Sequence, residues 1–141
     1  MGKEMIEKAI HYSAGYKYQV TRRFDVQTEI KGYNILLSFV TLDENGVLSA
    51  EKGYAWNGAS GPTWDTKNSM RGSCAHDMLY QLIRLGLIAS TYKEYADQLL
   101  YNLCVEDGMY QFRASYWRWA VLTFGAGSCR PSAEPQELVA P

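Results

Sequence analysis

Hydrophobic and polar positions change their period once along this chain. From Tyr16 to Ile30 they alternate, with Tyr16, Tyr18 and Val20 followed by Phe24, Val26, Thr28 and Ile30. A period of two marks strands with one buried face. Lys31-Gly32 offers a turn, and Tyr33 to Leu42 is a second strand run rich in Ile, Leu, Phe and Val. Asp43-Glu44-Asn45-Gly46 is the strongest turn signal, because Asn-Gly readily takes positive φ. Val47 to Ala50 returns as a third short strand, so residues 16–56 predict a small antiparallel β-meander.

Beyond the glycine-rich stretch Gly53–Pro62 the period becomes helical. Met70, Cys74, Met78, Leu82 and Leu85 predict a helix over about 67–85, with Gly86 placed to end it. Thr91-x-x-Glu94 reads as a capping box for a second helix with the stripe Ala96, Leu99, Leu100 and Leu103. Asp107-Gly108 closes it, and Met109 to Phe124 predicts a third helix carrying Tyr116, Trp117, Ala120 and Val121. Residues 3–12 predict a short helix at the N-terminus. The fold class is therefore α+β: a meander (16–56) followed by three helices (66–125) in one domain, 1–125. The proline-bearing segment 126–141 reads as a flexible tail.

Composition narrows the function classes. The 141 residues suit one domain, and 47% apolar content is enough for a single core. Lys and Arg total 14 against 15 Asp and Glu, a net charge of -1, which gives no electrostatic footprint for nucleic acid. No apolar run of about 18 residues predicts a transmembrane helix. Met1–Glu7 lacks the apolar core of a secretory signal, and Ile6 stands where a myristoylation motif requires Ser or Thr. Cys74, Cys104 and Cys129 form an odd set without a C-x-x-C pair, so a reducing compartment is expected instead of disulfides or zinc.

Chemistry concentrates around His76. His11 lies in the weak N-terminal segment and reads as solvated or packing, whereas His76 begins His76-Asp77-Met78-Leu79-Tyr80. On a helix His76 and Tyr80 share a face, and Gly72, one turn earlier, would leave room for a group to approach the imidazole. Asp77, rotated by roughly 100°, addresses a different object from the same turn. Asp97, 21 residues after His76, can return on an antiparallel helix to orient the imidazole while its other nitrogen deprotonates water. Helical arithmetic puts Asp97 at the border of the apolar stripe, where pairing with Lys93 at i−4 is the alternative. The loop Trp56-Asn57-Gly58-Ala59-Ser60-Gly61-Pro62 can turn carbonyls toward a cation and, with Asp77, supply oxygen ligands to calcium. Its alternative reading is a tight sheet-to-helix connection with Trp56 and Trp64 as packed lids.

Two resemblances follow from these residues. The order Asn57-Gly58-Ala59-Ser60-x-Pro62, His76-Asp77-x-Leu79-Tyr80, Ala96-Asp97 and Trp119-Ala120-Val121…Phe124-Gly125 resembles an uncharacterised family of short phage and bacterial proteins. It spans about residues 16–125 and implies a phage or prophage origin but no reaction. His-Asp-x-x-Tyr followed by Ala-Asp is also similar to the calcium-dependent phospholipase A superfamily, including its disulfide-free parvovirus capsid version. That resemblance implies His76 as general base, Asp97 as its orienting group, Tyr80 as support, and Asp77 with carbonyls of Gly58 and Gly61 as calcium ligands. The departures are Gly58 and Gly61 standing three apart before Pro62, the missing stapling cysteines, and a meander where a short helix belongs.

The leading expectation is a phage-encoded hydrolase of phospholipid or other ester bonds acting on the host envelope. The competing one is a non-catalytic virion or assembly protein. In it the His76, Asp77 and Asp97 cluster would be structural, and Tyr110, Phe112, Tyr116, Trp117 and Trp119 would face a phage structural protein. A cell-wall-degrading enzyme is weaker, since no zinc-ligand set or Glu pair is present. The expected location is the bacterial host cytoplasm or the virion.

Overall fold

The computed structural model describes residues 10–12, 17–58, 63–135 and 137–140. Antiparallel strands precede three helices, so the α+β class read from the period change holds. The main sheet contains β3 (Phe24–Gln27), β4 (Ile35–Leu36), β5 (Val40–Leu42) and β6 (Val47–Ala50) in the order β3-β6-β5-β4. A two-stranded pair, β2 (Tyr18–Gln19) with β7 (Ala55–Trp56), brings the two ends of the meander together.

The Asp43–Gly46 turn forms as its residues dictate. Asp43 Oδ1 accepts from the Asn45 and Val47 amides, both at 2.9 Å, and Gly46 has φ +87°. A side chain at Gly46 would also run into the Thr28 carbonyl. The expected single strand Tyr33–Leu42 is instead a tight hairpin. The Leu37 amide bonds the Val40 carbonyl at 2.9 Å, and the chain folds back so that Ile35 pairs with Leu42. Folding back keeps Val40 and Leu42 buried while exposing Leu36, an arrangement that strict alternation does not anticipate.

A 3-10 turn (Lys67–Ser69) leads into α1 (Met70–Arg84), which Gly86 ends with φ +73°. The second helix, α2 (Tyr92–Glu106), starts without the expected capping box, because Thr91 makes no side-chain cap bond. Its first amides are satisfied by backbone carbonyls instead, Tyr92 on Ala89 and Lys93 on Ser90. The two helices run antiparallel. Arg71 at the start of α1 reaches Asp107 and Glu106 at the end of α2, with Nε 2.9 Å from Asp107 Oδ2. The third helix, α3 (Gln111–Phe124), packs against α2. The core joins the sheet residues Val40, Leu42 and Leu48 to Met78, Leu79 and Leu82 of α1, all with at most 1% exposure.

One expectation about the ends changes. Ile10–Tyr12 forms a strand, β1, and not the end of a helix; it pairs antiparallel with β8 (Leu138–Ala140), while residues 3–9 lie outside the described residues. Part of the segment 126–141, expected as a flexible tail, lies against α1. Two 3-10 turns (Gly125–Cys129 and Pro131–Ala133) lie along α1, where Arg84 Nε donates to Glu134 Oε2 at 2.6 Å.

Candidate active site

Helix α1 presents His76 and Tyr80 on one face, their ring centroids 3.9 Å apart and tilted by 44°. Helix α2 returns Asp97 against them. Asp97 Oδ1 receives both partners, with His76 Nε2 at 2.7 Å and the Tyr80 hydroxyl at 2.6 Å. Asp97 Oδ2 accepts from Lys93 Nζ at 2.7 Å. The carboxylate is fully buried, not at the border where helical arithmetic placed it. The reason is that α2 is covered on two sides, by α1 and by α3, so its buried arc widens to include Ala96, Asp97, Leu99, Leu100, Leu103 and Cys104.

The charges in this cluster support one another. Burial alone would raise the Asp97 carboxyl, but donors from His76, Lys93 and Tyr80 outweigh it and hold Asp97 below the usual carboxylate range. Burial opposes charge on His76, yet the Asp77 and Asp97 carboxylates together raise the imidazole above its ordinary value. Burial and the neighbouring Asp97 push the Tyr80 phenol upward, so it remains a donor. With Asp97 ionised, the His76 proton belongs on Nε2 and Nδ1 is the basic nitrogen.

His76 also lines a cavity. It has a volume of about 780 Å³ and is lined by His76, Asp77 and Tyr80 of α1, by Trp117, Val121 and Phe124 of α3, and by Phe39 and Trp56 from the sheet side. Asp77, about one third exposed, stands with Oδ1 3.9 Å from His76 Nδ1, beyond hydrogen-bond reach. Gly58 lines the same cavity with φ +73°, and a Cβ there would lie 2.6 Å from Asp65 Oδ1. Asp65 is in turn held by the Tyr18 hydroxyl at 2.6 Å. Gly61 lies outside the described residues. Trp56 is a buried lid whose Nε1 donates to Ser73 Oγ at 3.2 Å, whereas Trp64 is 57% exposed under the Arg113 guanidinium.

Gly72 has a different task from the one its spacing suggested. It faces Cys104 and Leu100 of α2, where a Cβ would lie 3.0 Å from Cys104 Sγ, so it sets the approach of the two helices. Two features escaped sequence reasoning altogether. Gly125, past the end of α3, leaves space for the Tyr80 hydroxyl. The indole Nε1 of Trp117, a residue that lines the cavity, is buried without a hydrogen-bond partner among the described residues.

The three cysteines are free thiols, and burial pushes Cys129, beside Tyr80 and Asp97, up to about 11. No helix among the described residues is long and apolar enough to cross a membrane. Comparison of the chain with protein-family models, with curated proteins and with solved structures finds no match in any of the three.

Proposed function

We propose that this chain is a hydrolase of ester bonds, with phospholipid esters as the leading substrate class. The observation that carries this reading is the buried His76 Nε2–Asp97 Oδ1 contact at 2.7 Å, with His76 itself lining a cavity. A histidine with one nitrogen fixed by a carboxylate and the other facing a cleft is the arrangement that general-base catalysis requires. In the proposed step a water proton passes to His76 Nδ1 as the water oxygen bonds the ester carbonyl carbon. The resulting oxyanion collapses, the carbonyl–alkoxy bond breaks, and the alkoxide leaves with the proton from His76.

Asp77 and Gly58, two of the residues that the phospholipase resemblance assigns to calcium, both line the cavity. Among the described residues no three His, Cys, Asp or Glu side chains converge, so a bound calcium ion would depend on backbone carbonyls as well as Asp77. Asp77 with carbonyls of Gly58 and Gly61 would hold it, and it would supply positive charge for the oxyanion. Phage origin and action at the host envelope belong to this proposal through the sequence resemblance.

A specific observation favours the second reading, a non-catalytic virion or assembly protein. Tyr110, Phe112, Trp119 and Phe124, at and along α3, are 51–78% exposed, apolar rings of the kind that partners cover, whereas Trp117, expected among the partner-facing rings, is buried. The deciding experiment is hydrolysis of mixed phospholipid vesicles, with calcium and then with chelator, by the wild type and His76→Ala. Calcium-dependent release that disappears in the variant supports the hydrolase. No release from folded wild-type protein shifts the reading to the structural clasp.

A further inference from the structure

We infer that Lys93 is a positioning residue of this site, which fixes the Asp97 carboxylate toward His76 and couples it to the helix that walls the cavity. The inference rests on the hydrolase reading for its activity readout but not for its geometry. A carboxylate can rotate about its Cβ–Cγ bond, and His76 and Tyr80 both bond the same oxygen, Oδ1. Lys93 holds the other oxygen at 2.7 Å, so the group is gripped from both sides. The same ammonium donates to the Val121 carbonyl at 3.1 Å and stands 5.8 Å from the centre of the Tyr80 ring. Val121 lies in the last turn of α3 and lines the cavity.

Helix energetics argue that this lysine is not where it is for the benefit of α2. Lys93 stands in the first turn of α2, where the positive end of the helix dipole disfavours a cation. A lysine preceding an aspartate at i,i+4 is also the weaker order for a helical ion pair. Its ammonium reaches instead the C-terminal end of α3, where a cation is favoured, and Asp97 lies between the two helices. Asp77 and Tyr80 of α1 and Cys129 of the 3-10 turn after α3 face the same cluster, and Tyr80 bonds Asp97 through Oδ1.

The test compares full-length wild type with Lys93→Met and Lys93→Arg, each in a His11→Asn background so that one imidazole remains. At fixed pH, the nuclear magnetic resonance signal of the His76 Nε2 proton reports its bond to Asp97 without any need for activity. It should be sharp in the wild type and Lys93→Arg, and shifted or broadened in a folded Lys93→Met. On phospholipid vesicles, kcat of Lys93→Met should fall on the order of 10- to 100-fold with KM little changed, and Lys93→Arg should recover it. Lys93→Gln, which keeps a donor without charge, replaces Lys93→Met if the latter does not fold, with the same directions expected. A wild-type proton signal in the folded Met or Gln variant overturns the inference. If no protein hydrolyses vesicles, the hydrolase reading fails alone and the proton signal still decides the role of Lys93.

Discussion

Gly125 faces the hydroxyl of Tyr80 with no room for a Cβ between them. Gly125 has φ −80°, an ordinary right-handed conformation, so the backbone does not demand glycine there. Space does. Because Tyr80 is buried and bonded to Asp97, a methyl at position 125 has to displace the phenol or the chain after α3. Gly125→Ala should therefore destabilise by about 1–3 kcal/mol, the usual cost of overpacking, although alanine is the better residue for helical backbone. Chemical denaturation of the two proteins checks this, and an alanine variant as stable as the wild type would show that the contact is loose.

Tyr80→Phe isolates the hydrogen bond from the packing. It removes one of two donors to Asp97 Oδ1 and keeps the ring beside His76. A buried carboxylate losing one donor costs about 1–3 kcal/mol. His76 and Lys93 still hold Asp97, so the variant should fold and keep measurable turnover, whereas Asp97→Asn should lose far more activity. Equal loss of activity in both variants would contradict the assignment of Tyr80 as support.

The helical half was legible because i,i+4 spacing fixes which residues share a face. That alone places His76 with Tyr80 and makes Asp97 reachable on a returning helix. What the chain could not reveal was how many sides of α2 are covered. With one neighbour Asp97 is peripheral and Lys93 a surface partner; with two, both belong to the interior of the site. Gly72 misled for a related reason, since a glycine that admits a ligand and one that admits a neighbouring helix read alike. In the sheet, the break between Leu36 and Val40 has no Gly or Pro to announce it. A backbone bond from Leu37 to Val40 makes the turn, and side-chain period is blind to that.

The chain end gives a prediction about local order. Arg84 Nε and Glu134 Oε2 are 2.6 Å apart, with the side chains 16% and 33% exposed. Solvent screens part of this pair, so Glu134→Gln should cost no more than about 1 kcal/mol in global stability. Local protection should fall more clearly. Hydrogen exchange of the Ala133 and Glu134 amides, which bond Arg130 and Pro131, should speed up in the variant. Unchanged exchange would mean that strand β8, and not this ion pair, holds the segment.

Stability and turnover should have different pH optima, because the same pair serves both. Asp97 is depressed below its ordinary 3.8, so its contribution is present above that value and is lost as pH falls through the lower folded pKa. His76 is raised above 6.5, so its contribution is complete below 6.5 and is lost as pH rises through the higher folded pKa. Thermal stability in metal-free buffer should consequently be greatest between 3.8 and 6.5 as far as this pair is concerned. Hydrolysis needs the opposite form of the imidazole, since only neutral His76 accepts a proton. Its rate should still be climbing at pH 6.5, where the melting temperature has begun to fall. Melting curves and initial rates across this range, for wild type and His76→Ala, test the separation. A His76→Ala protein whose stability shows the same alkaline decline would remove His76 as its source.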